Sequence, residues 1–145
     1  MEVEWSRLKA HELRDLAKRD GIVLVPIGAT EQHGPHLPVM VDYRLATEVC
    51  HRAARLVAKT DPIAVTPTLP FGMSEHHMPL GGTITLDFPT MLSTFRCVVR
   101  SLTQHGFKRI FILNGHGGNT TPLDVIVTEL TIEFKIPLAY ATYWG

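Results

Sequence analysis

Glu31, His33 and Asp42 lie on one short stretch, PIGATEQHGPHLPVMVD from Pro26 to Asp42, together with His36, Pro35, Pro38 and two glycines. So polar a loop, leaving a hydrophobic run, is poorly explained as packing. In extended backbone side chains two apart face the same way, so Glu31 and His33 project together while Gln32 points elsewhere. The prolines stiffen the return path and Gly28 and Gly34 permit tight backbone, which lets Asp42 come back beside the pair. Two carboxylates and an imidazole suit a hard or borderline divalent ion such as zinc or manganese. Taken alone, Asp42 also reads as the N-cap of the helix that follows it.

Two further stretches carry chemistry. In NGHGGN, Asn114 to Asn119, three glycines surround His116 and allow a sharp turn that leans its ring into a crevice. The same loop, at a helix N-terminus, admits a rival reading as a phosphate or nucleotide cradle. It has no Lys or Arg and matches neither common glycine-rich phosphate spacing. In MSEHHMPLGGT the adjacent His76 and His77 must point in different directions, so one at most reaches the centre directly. Gly81, Gly82 and Thr83 fit either a close backbone approach to a ligand or a plain turn before a strand.

The elements that must position these loops alternate. Residues 4–18 hold one or two short helical pieces along a sheet edge, and GIVLVPI is an apolar, β-branched run of the kind found in a parallel strand covered on both faces. Tyr43 to Lys59 has helical period, IAVTPTL reads as a weaker strand, and Pro89 opens a helix whose stripe is Met91, Leu92, Phe95, Val98, Val99 and Leu102. RIFILN is a third strand, Thr120 to Lys135 a helix, and IPLAYAT a fourth strand. The pattern predicts one α/β domain over 1–145, a mostly parallel sheet flanked by helices on both faces. Ligands of such sheets bind beyond the carboxyl ends of the strands, where all three loops emerge. Glu31, His33, Asp42, His77 and His116 can therefore converge.

Composition narrows the function classes. Fourteen basic and fourteen acidic residues cancel, so no nucleic-acid partner is expected. No run approaches the roughly 18 apolar residues of a membrane span, and the N-terminus lacks an apolar signal core, so the expectation is a cytoplasmic protein with no membrane partner. Cys50 and Cys97 fall inside helical patterns without CxxC spacing and read as buried thiols.

With the three loops assembled, the chain resembles the creatininase family, whose members share an E-x-H-G-x-H-L-P segment with a later Asp, a loop ending in G-T, and an N-G-H segment. Here these are Glu31 to Pro38 with Asp42, Gly82 with Thr83, and Asn114 to His116. The resemblance implies an α/β/α sandwich with a two-metal centre hydrolysing C–N bonds of small cyclic or linear amides, assembled as a homo-oligomer, often a hexamer. It implies that Glu31 and His116 hold one ion, His33 the other, and that Asp42 bridges them; zinc or manganese is expected, with iron(II) admissible. Two ions about 3.5–4 Å apart can activate a shared water and polarise the amide carbonyl. The leaving nitrogen needs a proton, for which His77, and after it Glu75, is the candidate.

Two departures qualify this. The family's namesake carries Glu two places after the N-G-H histidine, where this chain has Gly118, which argues against creatinine as substrate. Other relatives take a carboxylate from a later C-terminal segment that these residues do not include, and two carboxylates undercompensate two divalent ions. The expectation is a centre that binds metal with its second ion weakened. A non-catalytic subunit of a hydrolase assembly and a phosphate binder using the GHGGN loop remain the alternatives.

Overall fold

The computed structural model describes residues 2–144. Four parallel strands, β1 (Ile22–Ile27), β2 (Ile63–Val65), β3 (Arg109–Asn114) and β4 (Leu138–Thr142), form one sheet in the order β2-β1-β3-β4. The helices are α1 (Ala10–Lys18), α2 (Val41–Val57), α3 (Phe88–Gln104) and α4 (Thr120–Phe134). From β1 the chain moves outward to β2, then crosses back past β1 to β3 and on to β4. The strand order therefore reverses between β1 and β3, which pair along six residues from Ile22↔Arg109 to Ile27↔Asn114. In open parallel sheets that junction is where a crevice opens.

Helices cover both faces, as the alternation predicts, but unequally. On one face Val23, Val25, Ile27, Ile110 and Ile112 pack with Met91, Phe95, Val99 and Leu102 of α3 and Leu123, Ile126 and Leu130 of α4. Spacings of three and four put each set on one side of its helix. Phe95 is fully buried here, and trimming it to alanine would cost about 3–5 kcal/mol. On the other face α2 alone lays Cys50 and Ala54 on Ile63 and Val65, with Ile22 and Leu24 beside them. Small residues at four-residue spacing let α2 sit close to the sheet.

Several boundaries differ from expectation. The helix after the first loop starts at Val41, so Asp42 lies in its first turn and Met40 is the N-cap position, with no side-chain cap. β2 is only three residues long, because Pro67 cannot donate to the ladder; beyond it Thr66 N–H still donates to the Leu24 carbonyl, and the chain meets β1 again at the isolated bridge Ile27↔Leu69. Trp5–Arg7 forms a 3₁₀ turn ahead of α1, and Glu4 bridges Val65, so this segment lies along the β2 edge as predicted. Cys50 is buried, but Cys97 is exposed: it occupies the outer side of α3, between the buried Phe95 and Val99. Both thiols are free. Among the described residues, no helix is long and apolar enough to cross a membrane.

Candidate metal centre

Three loops meet at the β1/β3 junction, and local backbone explains why. A Cβ on Gly28, just past β1, would lie 2.6 Å from the carbonyl carbon of Asp42; a Cβ on Gly115, just past β3, would lie 2.6 Å from the carbonyl oxygen of Asp42. Glycine at both strand ends thus lets the first turn of α2 settle between them, carrying Asp42 into the crevice. Asn119 ties the loops together. Its side-chain NH2 donates to the Gly28 carbonyl at 3.0 Å, and its Oδ1 accepts from the backbone N–H of Met73 at 3.0 Å. Asn114 holds the histidine loop: its Nδ2 donates to the His116 carbonyl (2.7 Å) while its Oδ1 accepts from the His116 N–H (3.0 Å).

The predicted donors converge. Asp42 Oδ1 is 3.1 Å from His33 Nε2, and Asp42 Oδ2 is 2.9 Å from His116 Nδ1. Glu31 Oε1 lies 3.3 Å from His116 Nδ1 and 4.0 Å from His33 Nε2. Asp42 therefore sits between the two rings with one oxygen toward each. Ligand atoms about 2.0–2.1 Å from one tetrahedral ion stand about 3.3 Å apart, close to the shorter of these separations. The N-cap alternative for Asp42 fails, since its carboxylate is spent on two histidines rather than on the helix backbone. Glu31, Asp42 and His116 are all buried.

The ring nitrogens facing outward show which atoms are free. His33 Nδ1 sits 3.2 Å from the Glu31 carbonyl and His116 Nε2 sits 3.0 Å from the Met73 carbonyl. A carbonyl only accepts, so each of these nitrogens carries its proton and donates. In the neutral ring the inward nitrogen then presents a lone pair to carboxylate oxygens, an arrangement that repels unless a cation lies between. Glu31 Oε2, moreover, is buried with no hydrogen-bond partner among the described residues. A carboxylate with Oε1 facing two inward lone pairs and Oε2 left without a hydrogen bond fits a divalent ion. Without one, a proton does the same work at His116: burial opposes charging this ring, but the hydrogen bonds to Asp42 and to the Met73 carbonyl, with the charges of Glu31 and Asp42, outweigh burial and hold its pKa above the usual value.

The remaining histidines divide. His77 Nε2 is 3.6 Å from Glu31 Oε2, while its Nδ1 is 2.8 Å from Gln32 Nε2, which can only donate. The His77 proton is thereby placed on Nε2, toward the centre. Gln32, expected to point away, is instead the residue that orients His77. His76 also reaches in: its ring lies 4.2 Å from that of His77 and is stacked 5.9 Å from that of His116, with planes 9° apart. Glu75–Leu80 folds as a 3₁₀ helix and sets both rings beside the centre, but of the pair only His76 joins a group of donors within ligand distance among the described residues. His36 and Glu75 are exposed and join neither cluster. Ser74, fully buried with its Oγ 3.1 Å from His116 Nε2, was not singled out from sequence. Nor was Tyr143, whose pKa is raised by burial and then by the charge of Asp42. Thr83 Oγ1 accepts from the Gln32 N–H at 3.3 Å, and only isolated bridges, Thr30↔Ile84 and Gly72↔Thr85, follow, so the G-T segment is a brace across the loops rather than a turn into a strand.

Comparison with known proteins bears on the family and the fold. Residues 6–145 match the family model Creatininase, described as creatinine amidohydrolase. The chain is 32% identical to the creatinine amidohydrolase of Pseudomonas putida over 99% of its own length and 56% of that protein. It is 37% identical to the mycofactocin precursor peptide peptidase of Mycobacterium tuberculosis over 77% of its length and 46% of that protein. It thus spans about half the length of these curated relatives. Among solved structures, a manganese creatininase superposes with a TM-score of 0.86 at 29% identity, covering 99% of this chain and 59% of the other. A mutant creatininase of the zinc–zinc type gives 0.85 at 29% identity over the same shares.

Proposed function

The chain belongs to the creatininase family, and from that premise we propose that it is a metal-dependent amidohydrolase cleaving a C–N bond in a small cyclic or linear amide. The observation that carries the metal dependence is the inward pair of imidazole nitrogens, His33 Nε2 and His116 Nδ1, on the two oxygens of Asp42 beside the partnerless Oε2 of Glu31. Glu31 and His116 would hold one divalent ion, His33 the second, with Asp42 between. Bound there, zinc or manganese supplies positive charge that acidifies water and polarises an amide carbonyl.

The protein's own residues do the rest. The carbonyls of Glu31 and Met73 fix the tautomers of His33 and His116, so both rings meet the ion with a lone pair and no reorganisation. Gln32 holds the His77 proton on Nε2, at the open side of the centre, where it can pass to the leaving nitrogen as the C–N bond breaks. Water adds across the C–N bond to leave a carboxylate and an amine, on two molecules from a linear amide and on one ring-opened molecule from a cyclic amide. A phosphate site independent of metal loses ground on electrostatics: with no ion bound, the GHGGN loop adjoins two buried carboxylates, Glu31 and Asp42, which repel an anion.

The test is release of amine from a panel of small amides by protein stripped with chelator and reloaded with zinc or manganese. Turnover that returns with metal and falls in His77→Ala is expected. No turnover on any amide by metal-loaded protein would leave the chain a metal-binding subunit and overturn the hydrolytic reading.

A further inference from the structure

Among the described residues two groups of donors, not one, lie within ligand distance. Glu31, His33 and Asp42 form the first; Glu31, His76 and His116 form the second, their ligand atoms all within 4.8 Å of one another. Glu31 belongs to both, is 5% exposed, and keeps its Oε2 without a partner. His76 arrives from the 3₁₀ helix Glu75–Leu80, and its ring is stacked with that of His116. The backbone below it is Gly118. A Cβ at 118 would collide with His116 Nε2 and the Met73 carbonyl and would stand 3.1 Å from His76 Cε1. The His76 ring, with His116 and the Met73 carbonyl, therefore borders the space that a side chain at 118 would need.

Resting on the metal-centre reading above, we propose that His76 is a further metal ligand, donating imidazole nitrogen on the Glu31–His116 side where Gly118 provides no donor. The consequence is a choice of metal. A neutral imidazole in that place adds no negative charge and makes the donor set richer in nitrogen. Imidazole suits zinc, whereas carboxylate-rich sites suit manganese. The Glu31–His116 side then favours zinc, and the strength of that preference depends on His76. His76 is exposed, unlike the buried His116, so it meets the centre from the solvent side.

The experiment is calorimetric titration of chelator-stripped full chain with zinc and, separately, manganese, in wild type, His76→Ala, His76→Gln and His36→Ala. Zinc-edge X-ray absorption on wild type and His76→Ala counts imidazoles directly. Circular dichroism confirms that each variant is folded; the exposed position of His76 makes loss of fold an unpromising explanation for any change. Zinc affinity falling at least tenfold in both His76 variants, manganese affinity falling less, loss of one imidazole in the absorption spectrum and an unchanged His36→Ala would support the assignment. Wild-type zinc binding retained in His76→Ala, or lost equally in His36→Ala, would overturn it while leaving the metal centre standing. A wild type that binds neither metal would overturn both.

Discussion

Replacing Asp42 with asparagine separates charge from shape at the centre. The carboxamide keeps the volume, and its oxygen can still accept a hydrogen bond from one ring, but the anion that His33 and His116 face at 3.1 Å and 2.9 Å is gone. In metal-free protein the change relieves repulsion with the neighbouring Glu31 and weakens a hydrogen bond to a charged ring, terms of opposite sign, so stability stays within about 2 kcal/mol of wild type. Metal binding has no such compensation. Losing the carboxylate placed between both rings should weaken zinc by at least a hundredfold, about 2.8 kcal/mol. With free zinc set near one hundred times the wild-type Kd, wild type gains about 2.7 kcal/mol and the variant about 0.4 kcal/mol. For a chain of this size that is a rise in Tm of about 5–10 °C against about 1 °C. Thermal melts with and without zinc read this directly. Equal zinc shifts in the two proteins would refute the placement of Asp42 in the centre.

Three other outcomes follow from the same geometry. His116 has a folded-state pKa raised above its usual 6.5, so its contribution to metal-free stability is fully present below that value and is lost as pH rises through the raised one; melts of stripped protein between pH 5 and 9 should show this fall, while metal affinity rises over the same window as the proton leaves. Burial pushes the Cys50 thiol up to about 12, whereas Cys97 is exposed, so a thiol reagent at pH 8 should titrate one cysteine in native protein and two after denaturation. Gly28→Ala would drive a Cβ into the backbone of Asp42 and Tyr43 and should cost about 1–3 kcal/mol and weaken zinc; a variant with wild-type melting and metal binding would show that the close approach is not required.

The sequence carried the architecture because apolar runs, helical stripes and glycine breaks agree with one another in every element. RIFILN became β3 without adjustment, and the stripe from Met91 to Leu102 is the buried side of α3. The three loops met where parallel-sheet topology places ligands, and Glu31, His33, Asp42, His77 and His116 all arrived. Less legible were features that depend on contact between distant segments. Asp42 reads equally as cap or ligand until Gly28 and Gly115 are seen to draw the start of α2 between two strand ends. Ser74 and Asn119 look like ordinary loop residues, yet both are fully buried and hold His116 and the loop backbones in place. Which of the adjacent histidines comes within ligand distance was not legible, because it depends on how the 3₁₀ helix Glu75–Leu80 sets the two rings. Cys97 was misplaced by treating a helical pattern as if all its apolar members faced inward.

Metal content tests the central claim most directly: elemental analysis of the purified chain, stripped, reloaded with zinc or manganese and desalted, for wild type beside Glu31→Ala and His116→Ala. The arrangement of Glu31, His33, Asp42 and His116 predicts at least one equivalent retained per wild-type chain and a large loss in each variant. Wild type without retained metal, or variants that retain as much as wild type, would contradict it.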